Sequence, residues 1–287
     1  MLPGFLKQLN TPEGYGKDQL LSNGTKMEFH KIYPLDLSFS NPAEVPEKTK
    51  SSKYYKDLTA GFDIKSVAEQ VTKDYGKIDY FVHSVANGPE VTKPLLETSR
   101  AGYLAASSAS AYSLVSAVQE FGPIMNPGGA VLSISYIAAE KVVPGYGGGM
   151  SSAKAQLESD TRTLAFEAGR AYGVRVNSIS AGPLKSRAAS AIGRGLGSEK
   201  VHIDFTIDYM KANAPLSDTD LYAEDVGTSA LGLLAPHISR AVTGTVLHVD
   251  NGMHIMGISL DSKAFDDSPT FKAFRAKKTP ASDWTHP

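Results

Sequence analysis

The chain has 287 residues, 41% of them hydrophobic, which is enough to bury the core of one large domain or two small ones. Its 29 lysines and arginines balance 30 aspartates and glutamates, so a net charge of -1 gives no support for nucleic-acid or anionic-membrane partners. The absence of cysteine excludes disulfides, thiolate catalysis, iron–sulfur clusters and cysteine-ligated zinc. No apolar stretch approaches the roughly 20 residues that span a bilayer.

The first 62 residues lack the hydrophobic strand, glycine-rich turn and helix with which a dinucleotide-binding fold normally begins. They hold two glycine-containing turns, a short IYPLDL run and a loop rich in proline, lysine and glutamate. The opening MLPGFLKQLNTPEGYG has the composition of neither a signal peptide nor an Arg/Ser-rich transit sequence.

From about Asp63 onward, apolar β-branched runs alternate with longer helical stretches, which predicts a parallel sheet covered by helices on both faces. The predicted strands are Ile78 to Ala86, Ala130 to Ile137, Val174 to Gly182 and Thr243 to Gly252. The predicted helices are Ile64 to Tyr75, Ser99 to Phe121, Met150 to Tyr172 and Glu224 to Leu234. The fold class is therefore α/β, a doubly wound parallel sheet, and ligands are expected at the carboxyl ends of its strands.

Three other segments carry predictions. The helix from Ser99 is dense in small residues, which favours either tight packing on the sheet or a subunit interface. The segment from Arg187 to Phe205 is rich in glycine and alanine and is a lid candidate beside the ligand edge. We expect one domain over residues 1–257, incomplete at its N-terminus, and a polar, loosely attached tail over 258–287.

The strongest chemical pattern is SYIAAEKVVPGYGGGMSSAK, residues 135–154. It places Tyr136 at the end of a strand, Tyr146 before a run of three glycines, and Lys154 near the start of a helix that Ser151 or Ser152 would cap. An ammonium beside a phenol lowers the phenol pKa and makes it a better proton donor to developing oxyanion charge. Separately, a tyrosine and a lysine are more often surface residues, but their arrangement here favours a catalytic pair.

Seven histidines show no HExxH or paired spacing, and no GxSxG occurs, so neither a metal site nor a serine hydrolase is predicted.

A tyrosine–lysine pair on a doubly wound sheet resembles the short-chain dehydrogenase/reductase superfamily, whose commoner members place lysine four residues after tyrosine, where this chain has Met150. The wider gap, Tyr136, and the words HSVANGPEVTKPLLETSR, PGYGGGMSSAK, RVNSISAGPLKSRAA and VDNG resemble the divergent enoyl-acyl-carrier-protein reductases of plant and apicomplexan plastids. The resemblance runs from about Met27 to about Gly257.

The resemblance implies a Rossmann-like fold and reduction of trans-2-enoyl thioesters on acyl carrier protein by NADH, in type II fatty-acid synthesis. It implies that Tyr146 hydrogen-bonds the thioester carbonyl, that Lys154 binds the nicotinamide ribose, and that Tyr136 lines the acyl pocket and serves as a second catalytic tyrosine. It also implies a homotetramer in the plastid.

The remaining implied site residues fall into two sets. The cofactor set, besides Lys154, is Asp36, Leu37, Ser84, Val85, Ala86, Asn87, Ser135, Ala181, Gly182, Pro183, Leu184 and Ser186. The substrate set, besides the two tyrosines, is Met150, Ala188, Ala189 and Ile192. For these four, general packing is nearly as good an interpretation.

The family begins with a βα unit whose glycine-rich loop cradles the cofactor pyrophosphate, and this chain lacks it. We therefore expect that Met1 is not the native start, that neighbouring strands have unpaired edges, and that the chain binds NADH poorly. Two alternatives stay open: a short-chain 3-oxoacyl ketoreductase, and an inert paralogue that docks into reductase oligomers.

Overall fold

The computed structural model describes residues 24–25, 29–186, 189, 202–217 and 219–277. The chain divides into two compact units, Met1–Asp74 and Tyr75–Pro287. The α-helices are α1 (Glu47–Lys50), α2 (Ile64–Tyr75), α3 (Arg100–Ser107), α4 (Ser113–Phe121), α5 (Met150–Tyr172), α6 (His202–Asn213), α7 (Ala223–Leu234), α8 (Pro236–Ser239) and α9 (Pro269–Ala276). The strands are β1 (Ile78–His83), β2 (Met125–Ser135), β3 (Arg175–Ala181) and β4 (Val246–Val249).

In the first unit, α2 begins where its sequence predicts. The Asp63 carboxylate accepts hydrogen bonds from the backbone N–H and the hydroxyl of Ser66, at 3.0 and 2.7 Å, and so satisfies a donor of the first helical turn. Ile64 and Val67, three residues apart, are buried on one face of the helix. The predicted helix from Ile64 to Tyr75 is confirmed at both ends.

The second unit contains a four-stranded, all-parallel sheet in the order β1-β2-β3-β4. Val131 and Val176 are paired across β2 and β3 and join the core that contains side chains of α4 and α5. The next residue of β2, Leu132, points to the other face and packs with Ile179 and with Leu233 of α7. Helices therefore cover both faces, and the predicted doubly wound parallel sheet is confirmed.

All four predicted strands occur, but their bounds differ from the prediction. The predicted strand from Ile78 to Ala86 ends at His83, because the chain then turns outward over the edge of the sheet. β2 begins at Met125 instead of Ala130 and ends at Ser135, before a 3-10 turn over Ile137–Ala139. β3 matches the prediction to within a residue at each end, whereas β4 is reduced to Val246–Val249.

β1 is an edge strand within the described part of the chain, where its ladder partner is β2. Tyr80 and Val82 on this strand are each 48% exposed, although alternating residues of an internal strand would be covered. The position of β1 at the end of the strand order, within the residues described, agrees with the expectation of an unpaired edge.

The predicted helix from Ser99 to Phe121 is continuous but changes its winding. Ser99 caps α3 by accepting a hydrogen bond from the N–H of Gly102 at 3.0 Å. A π-helical turn over Ser108–Tyr112 separates α3 from α4. Several of its small residues are buried against the unit itself, which agrees with the tight-packing interpretation.

Two predictions about irregular segments need correction. Most of the lid candidate lies outside the described residues, but α6 begins at His202, so its last four positions, to Phe205, are helical. The tail beyond Gly257 is not merely loose chain, because Ser268 caps α9 and Phe265 stacks on Phe271 with ring centroids 4.0 Å apart. Arg275 of α9 also donates to the carbonyl of residue 262 at 2.8 Å.

Among the helices that the structure describes, each is too short or too polar to cross a membrane.

Candidate active site

A cavity of about 710 Å³ lies in the second unit at the carboxyl ends of β1, β2 and β3. Parallel strands bring their following loops to one edge of the sheet, and that edge is where open α/β sheets bind ligands. The cavity brings together most of the predicted site residues: Ser84, Ala86, Asn87, Ser135, Tyr136, Tyr146, Met150, Lys154, Ala181, Gly182, Pro183, Leu184, Ser186 and Ala189.

Tyr146 is held in place by main-chain contacts of the glycine run that follows it. The N–H groups of Gly147 and Gly148 donate to the carbonyl oxygens of Val91 and Lys93, at 2.9 and 3.0 Å. A Cβ on Gly147 would lie 1.9 Å from the Lys93 carbonyl oxygen, so the two backbones approach closely only because these residues are glycines. The sequence run therefore fixes where the tyrosine enters the cavity.

The start of α5 differs from the prediction that a serine caps it. Gly149, with φ at +82°, occupies the N-cap position and makes no side-chain cap. Ser151 lies inside the first helical turn, and its hydroxyl donates to the carbonyl oxygen of Tyr146 at 3.1 Å. The serine thus supports the tyrosine backbone instead of the helix terminus.

The two tyrosines face each other in an edge-to-face arrangement, with ring centroids of Tyr136 and Tyr146 separated by 5.1 Å and planes inclined by 67°. Burial raises the pKa of Tyr136 to about 12. Burial, followed by the neighbouring Tyr136, raises the pKa of Tyr146 still further. The expectation that the pKa of Tyr146 is lowered is therefore wrong for this structure: the cost of a buried phenolate dominates, and the hydroxyl keeps its proton.

Lys154 is 5% exposed and lies on the inner face of α5, one wall of the cavity. Its Nζ donates to the carbonyl oxygen of Ile134 at 2.7 Å, which anchors the amine to the end of β2. Burial lowers the pKa of Lys154 to about 8, and the carboxylate of Glu158 opposes that shift. Tyr146 and Lys154 line the same cavity, and a contact between the phenol and the ammonium stays a prediction.

The loop after β1 is fixed by the π-helical turn. The Ser110 hydroxyl accepts from the N–H of Asn87 at 2.9 Å and donates to the Asn87 carbonyl oxygen at 3.0 Å. The main-chain N–H and carbonyl of Asn87 are thereby both satisfied by one buried hydroxyl. Val85, in contrast to its neighbours in this loop, does not line the cavity and is 42% exposed.

The loop after β3 passes close to the chain after β4. The Gly182 N–H donates to the Val249 carbonyl oxygen at 2.8 Å, and an added Cβ would lie 2.8 Å from the Cα of Asp250. This close approach lets the residues that follow, Pro183 and Leu184, turn over the cavity.

The other predicted site residues lie elsewhere. Asp36 and Leu37 belong to the first unit, where the Asp36 carboxylate accepts from the Tyr55 hydroxyl at 2.8 Å and the Ser38 N–H at 3.0 Å. Ala188 and Ile192 lie outside the described residues.

Several cavity residues were missed by sequence reasoning. They come from the segment 88–92, which lies within the run HSVANGPEVTKPLLETSR, and from α6 and α7: Gly88, Pro89, Val91, Thr92, His202, Ile203, Thr206, Ala223 and Val226. The buried pair Ile203 and Met210, spaced by seven residues, is the sequence signal that could have identified α6.

Metal chemistry gains no structural support from the part of the chain that the structure describes, where no three His, Asp or Glu side chains are grouped as metal ligands. A second cavity, of about 870 Å³, lies beyond Pro183 and Leu184 and contains the ion pairs Lys185–Asp204 and Lys211–Asp220. Tyr136 and Tyr146 do not line this second cavity, so it is not the candidate catalytic cavity.

Comparison with known proteins identifies relatives along most of the chain. A family profile described as enoyl-(acyl carrier protein) reductase matches residues 33–254. The chain is 54% identical over 253 residues to a chloroplastic NADH enoyl-[acyl-carrier-protein] reductase of Arabidopsis thaliana, covering 88% of this chain and 62% of that protein. It is 54% identical over 248 residues to a chloroplastic counterpart from Oryza sativa, covering 86% of this chain and 63% of that protein. This chain therefore spans less than two thirds of these plant relatives.

Solved structures give the same result. A crystal structure of Plasmodium berghei enoyl-acyl-carrier-protein reductase with triclosan superimposes with a TM-score of 0.81 at 49% identity, covering 88% of this chain and 84% of that one. The corresponding NADH reductase from Aquifex aeolicus gives a TM-score of 0.61 at 39% identity, covering 68% of this chain and 72% of that one.

Proposed function

Because this chain belongs to the enoyl-(acyl carrier protein) reductase family, we propose that it reduces trans-2-enoyl thioesters on acyl carrier protein with NADH, in fatty-acid biosynthesis. The observation that carries the proposal is the shared cavity of Tyr136, Tyr146 and Lys154 at the carboxyl ends of the strands. A phenol, a second phenol and a buried amine around one space suit a reaction that moves charge onto an oxygen.

The chemistry assigns the main task to Tyr146. Addition of a hydride to the β-carbon of an enoyl thioester places negative charge on the thioester oxygen, which becomes an enolate. A phenol whose pKa is raised by burial stays protonated at neutral pH and can donate a hydrogen bond to that oxygen. Removing one such donor typically costs about 100- to 1,000-fold in rate. Tyr136, in edge contact with Tyr146, would shape the acyl side of the cavity.

The residues around Lys154 fit the nicotinamide half of the cofactor. The buried amine offers donors for ribose hydroxyls, and the loops at Ser84–Asn87 and Ala181–Ser186 offer backbone groups at the same edge. NADH supplies the hydride when it is bound. The protein residues orient the acceptor, exclude water and hold the proton at the Tyr146 hydroxyl. Asp36 and Leu37 stay proposed as adenine-side residues on the family resemblance alone.

The assembly and location are proposals of the same kind. The plant relatives are named as chloroplastic, which supports a plastid location for this chain. We propose a homotetramer, with acyl carrier protein presenting the substrate, and one reductase domain over residues 1–257. The exposed Tyr103 and Leu104 of α3 are available for contacts between subunits.

A spectrophotometric assay tests the function. The chain is given NADH and a crotonyl thioester, and a 3-oxoacyl thioester is offered in parallel. NADH is supplied at saturating concentration, which offsets the weak binding expected from the sequence. We then expect NADH oxidation with the enoyl substrate, loss of about 100-fold or more in Tyr146→Phe, and no loss in the control Tyr54→Phe, at a residue that is 71% exposed. Oxidation with the ketone alone would establish the ketoreductase alternative. Equal rates for wild type and Tyr146→Phe would refute the assigned role.

A further inference from the structure

Glu158 is a buried carboxylate that the chemistry above does not use. It lies on α5 four residues after Lys154, so both side chains are on the same face of the helix, about one turn apart. Glu158 is only 6% exposed. Its Oε1 accepts a 2.5 Å hydrogen bond from the Ser135 hydroxyl at the end of β2. A carboxylate in such a place is costly unless a nearby charge or hydrogen bond compensates it.

On the same face of α5 lies the amine of Lys154, which is anchored to Ile134, the residue before Ser135. Burial disfavours the ammonium and lowers the pKa of Lys154 to about 8, while Glu158 acts in the opposite direction. The proposed function needs the ammonium form near neutral pH. Without the Glu158 carboxylate nearby, the Lys154 ammonium would lose its proton at a lower pH than it does in the wild type.

Other ionisable groups around the pair do not take over this task. His83 at the end of β1 stays neutral near pH 7, because burial and the charge of Lys154 lower its pKa to about 4. Burial raises the pKa of Glu158, whereas the Ser135 hydrogen bond lowers it and so favours the charged form. The remaining charged groups that act on Glu158 come from the turn after β2, from β4 and from α5: Glu140, which raises its pKa, and His248 and Arg162, which lower it.

We infer that Glu158 is a positioning residue whose carboxylate, fixed by the Ser135 hydroxyl one helical turn from Lys154, favours the ammonium form of that amine. The inference rests on the proposed function, in which Lys154 binds the nicotinamide ribose and supports Tyr146. It assigns Glu158 no contact with substrate or cofactor.

The amine can be titrated without any turnover. Potassium cyanate carbamylates the neutral amine and not the ammonium, and Lys154 lines an open cavity that a small probe can enter. The rate constant for carbamylation of the Lys154 peptide is measured by mass spectrometry from about pH 6 to about pH 10. Corrected at each pH for the fraction of cyanate present as isocyanic acid, it gives the midpoint at which half of the Lys154 amine is protonated. We expect Glu158→Gln to move that midpoint downward by about one pH unit or more.

Matched variants make the result specific. Glu167→Gln removes an exposed carboxylate from the same helix and should leave the midpoint unchanged. Glu158→Asp retains the charge and should restore most of the wild-type value. If Glu158→Gln does not fold, as judged by circular dichroism, Glu158→Met decides, because apolar residues of similar volume often replace buried ionic groups without loss of stability. A midpoint equal to that of the wild type in the folded variant overturns the inference.

A kinetic readout separates this inference from the proposed function. With a crotonyl thioester, the alkaline limb of the rate profile should move to lower pH in Glu158→Gln by the same amount as the cyanate midpoint. If the wild type has no enoyl reductase activity, the proposed function fails, yet the cyanate midpoints still decide whether Glu158 controls Lys154.

Discussion

His83 makes the fold sensitive to acid, and the size of the effect follows from its surroundings. The residue is 1% exposed, and its Nε2 lies 2.8 Å from the Ser113 hydroxyl, which itself donates to the Ala109 carbonyl oxygen. Since that hydroxyl proton is used, Nε2 must donate, and the ring is a neutral Nε2–H tautomer. Burial, then the charge of Lys154, lowers the pKa of His83 from its usual 6.5 to about 4.

The sign follows from proton linkage. The unfolded chain protonates His83 with a pKa of 6.5 and the folded chain only with a pKa of about 4. The stabilisation is therefore complete above pH 6.5 and is lost progressively as the pH falls from 6.5 to 4. A gap of about 2.5 units at 1.36 kcal/mol per unit is worth about 3 kcal/mol when complete, and about 2 kcal/mol of it is lost by pH 5.

Urea unfolding at pH 7 and pH 5 measures this loss. His83→Gln keeps an N–H donor for Ser113 but cannot titrate, so its free energy of unfolding should fall by about 2 kcal/mol less than that of the wild type between the two pH values. His237→Gln, at an exposed position, should behave as the wild type does. Equal losses in wild type and His83→Gln would refute the assignment of a neutral buried ring.

Three further changes have defined outcomes. Arg175→Met removes a guanidinium that donates to four acceptors: two carbonyl oxygens at the end of α7, the Ser239 hydroxyl and the Val242 carbonyl oxygen. The substitution should lower the free energy of unfolding by about 3 kcal/mol in urea titrations. Gly148→Ala, at φ +61° and with its Cβ 2.2 Å from a carbonyl oxygen, should cost at least ~1 kcal/mol, whereas Gly232→Ala in open space should be neutral or stabilising. Ser110→Ala should cost about 1–3 kcal/mol and speed deuterium exchange of the Asn87 amide.

Long periodic segments were predictable because local preference and tertiary burial agree in them. α2 and α5 are found at their predicted bounds, since each has an apolar face of sufficient length and a clear end signal. β4 was predicted too long at its C-terminal end, because the chain turns at Asp250, whose carboxylate accepts hydrogen bonds from the N–H groups of Gly252 and His254. The π-helical turn has no composition signal, since it depends on how Ser110 meets the loop at Asn87.

The candidate site also has features that could be predicted from the sequence and features that could not. Tyr136, Tyr146 and Lys154 could be predicted to converge because each follows a strand end or starts a helix at one sheet edge. The spacing of Ile203 and Met210 indicates the helix α6, but its place beside the cavity could not be predicted, because the preceding stretch has no period that fixes where the chain returns. The pKa of Tyr146 could not either: its direction depends on the balance between burial and neighbouring charge, and that balance exists only in three dimensions.

Tyr146 is positioned by main-chain hydrogen bonds of the glycines that follow it. The peptide groups of residues 147 and 148 bind carbonyl oxygens of residues 91 and 93, and peptide groups are the same whatever side chains they carry. Substitutions at Val91 and Lys93 can therefore change the side chains beside the cavity during evolution without displacing the Tyr146 phenol. Only the glycines opposite them are fixed by the geometry.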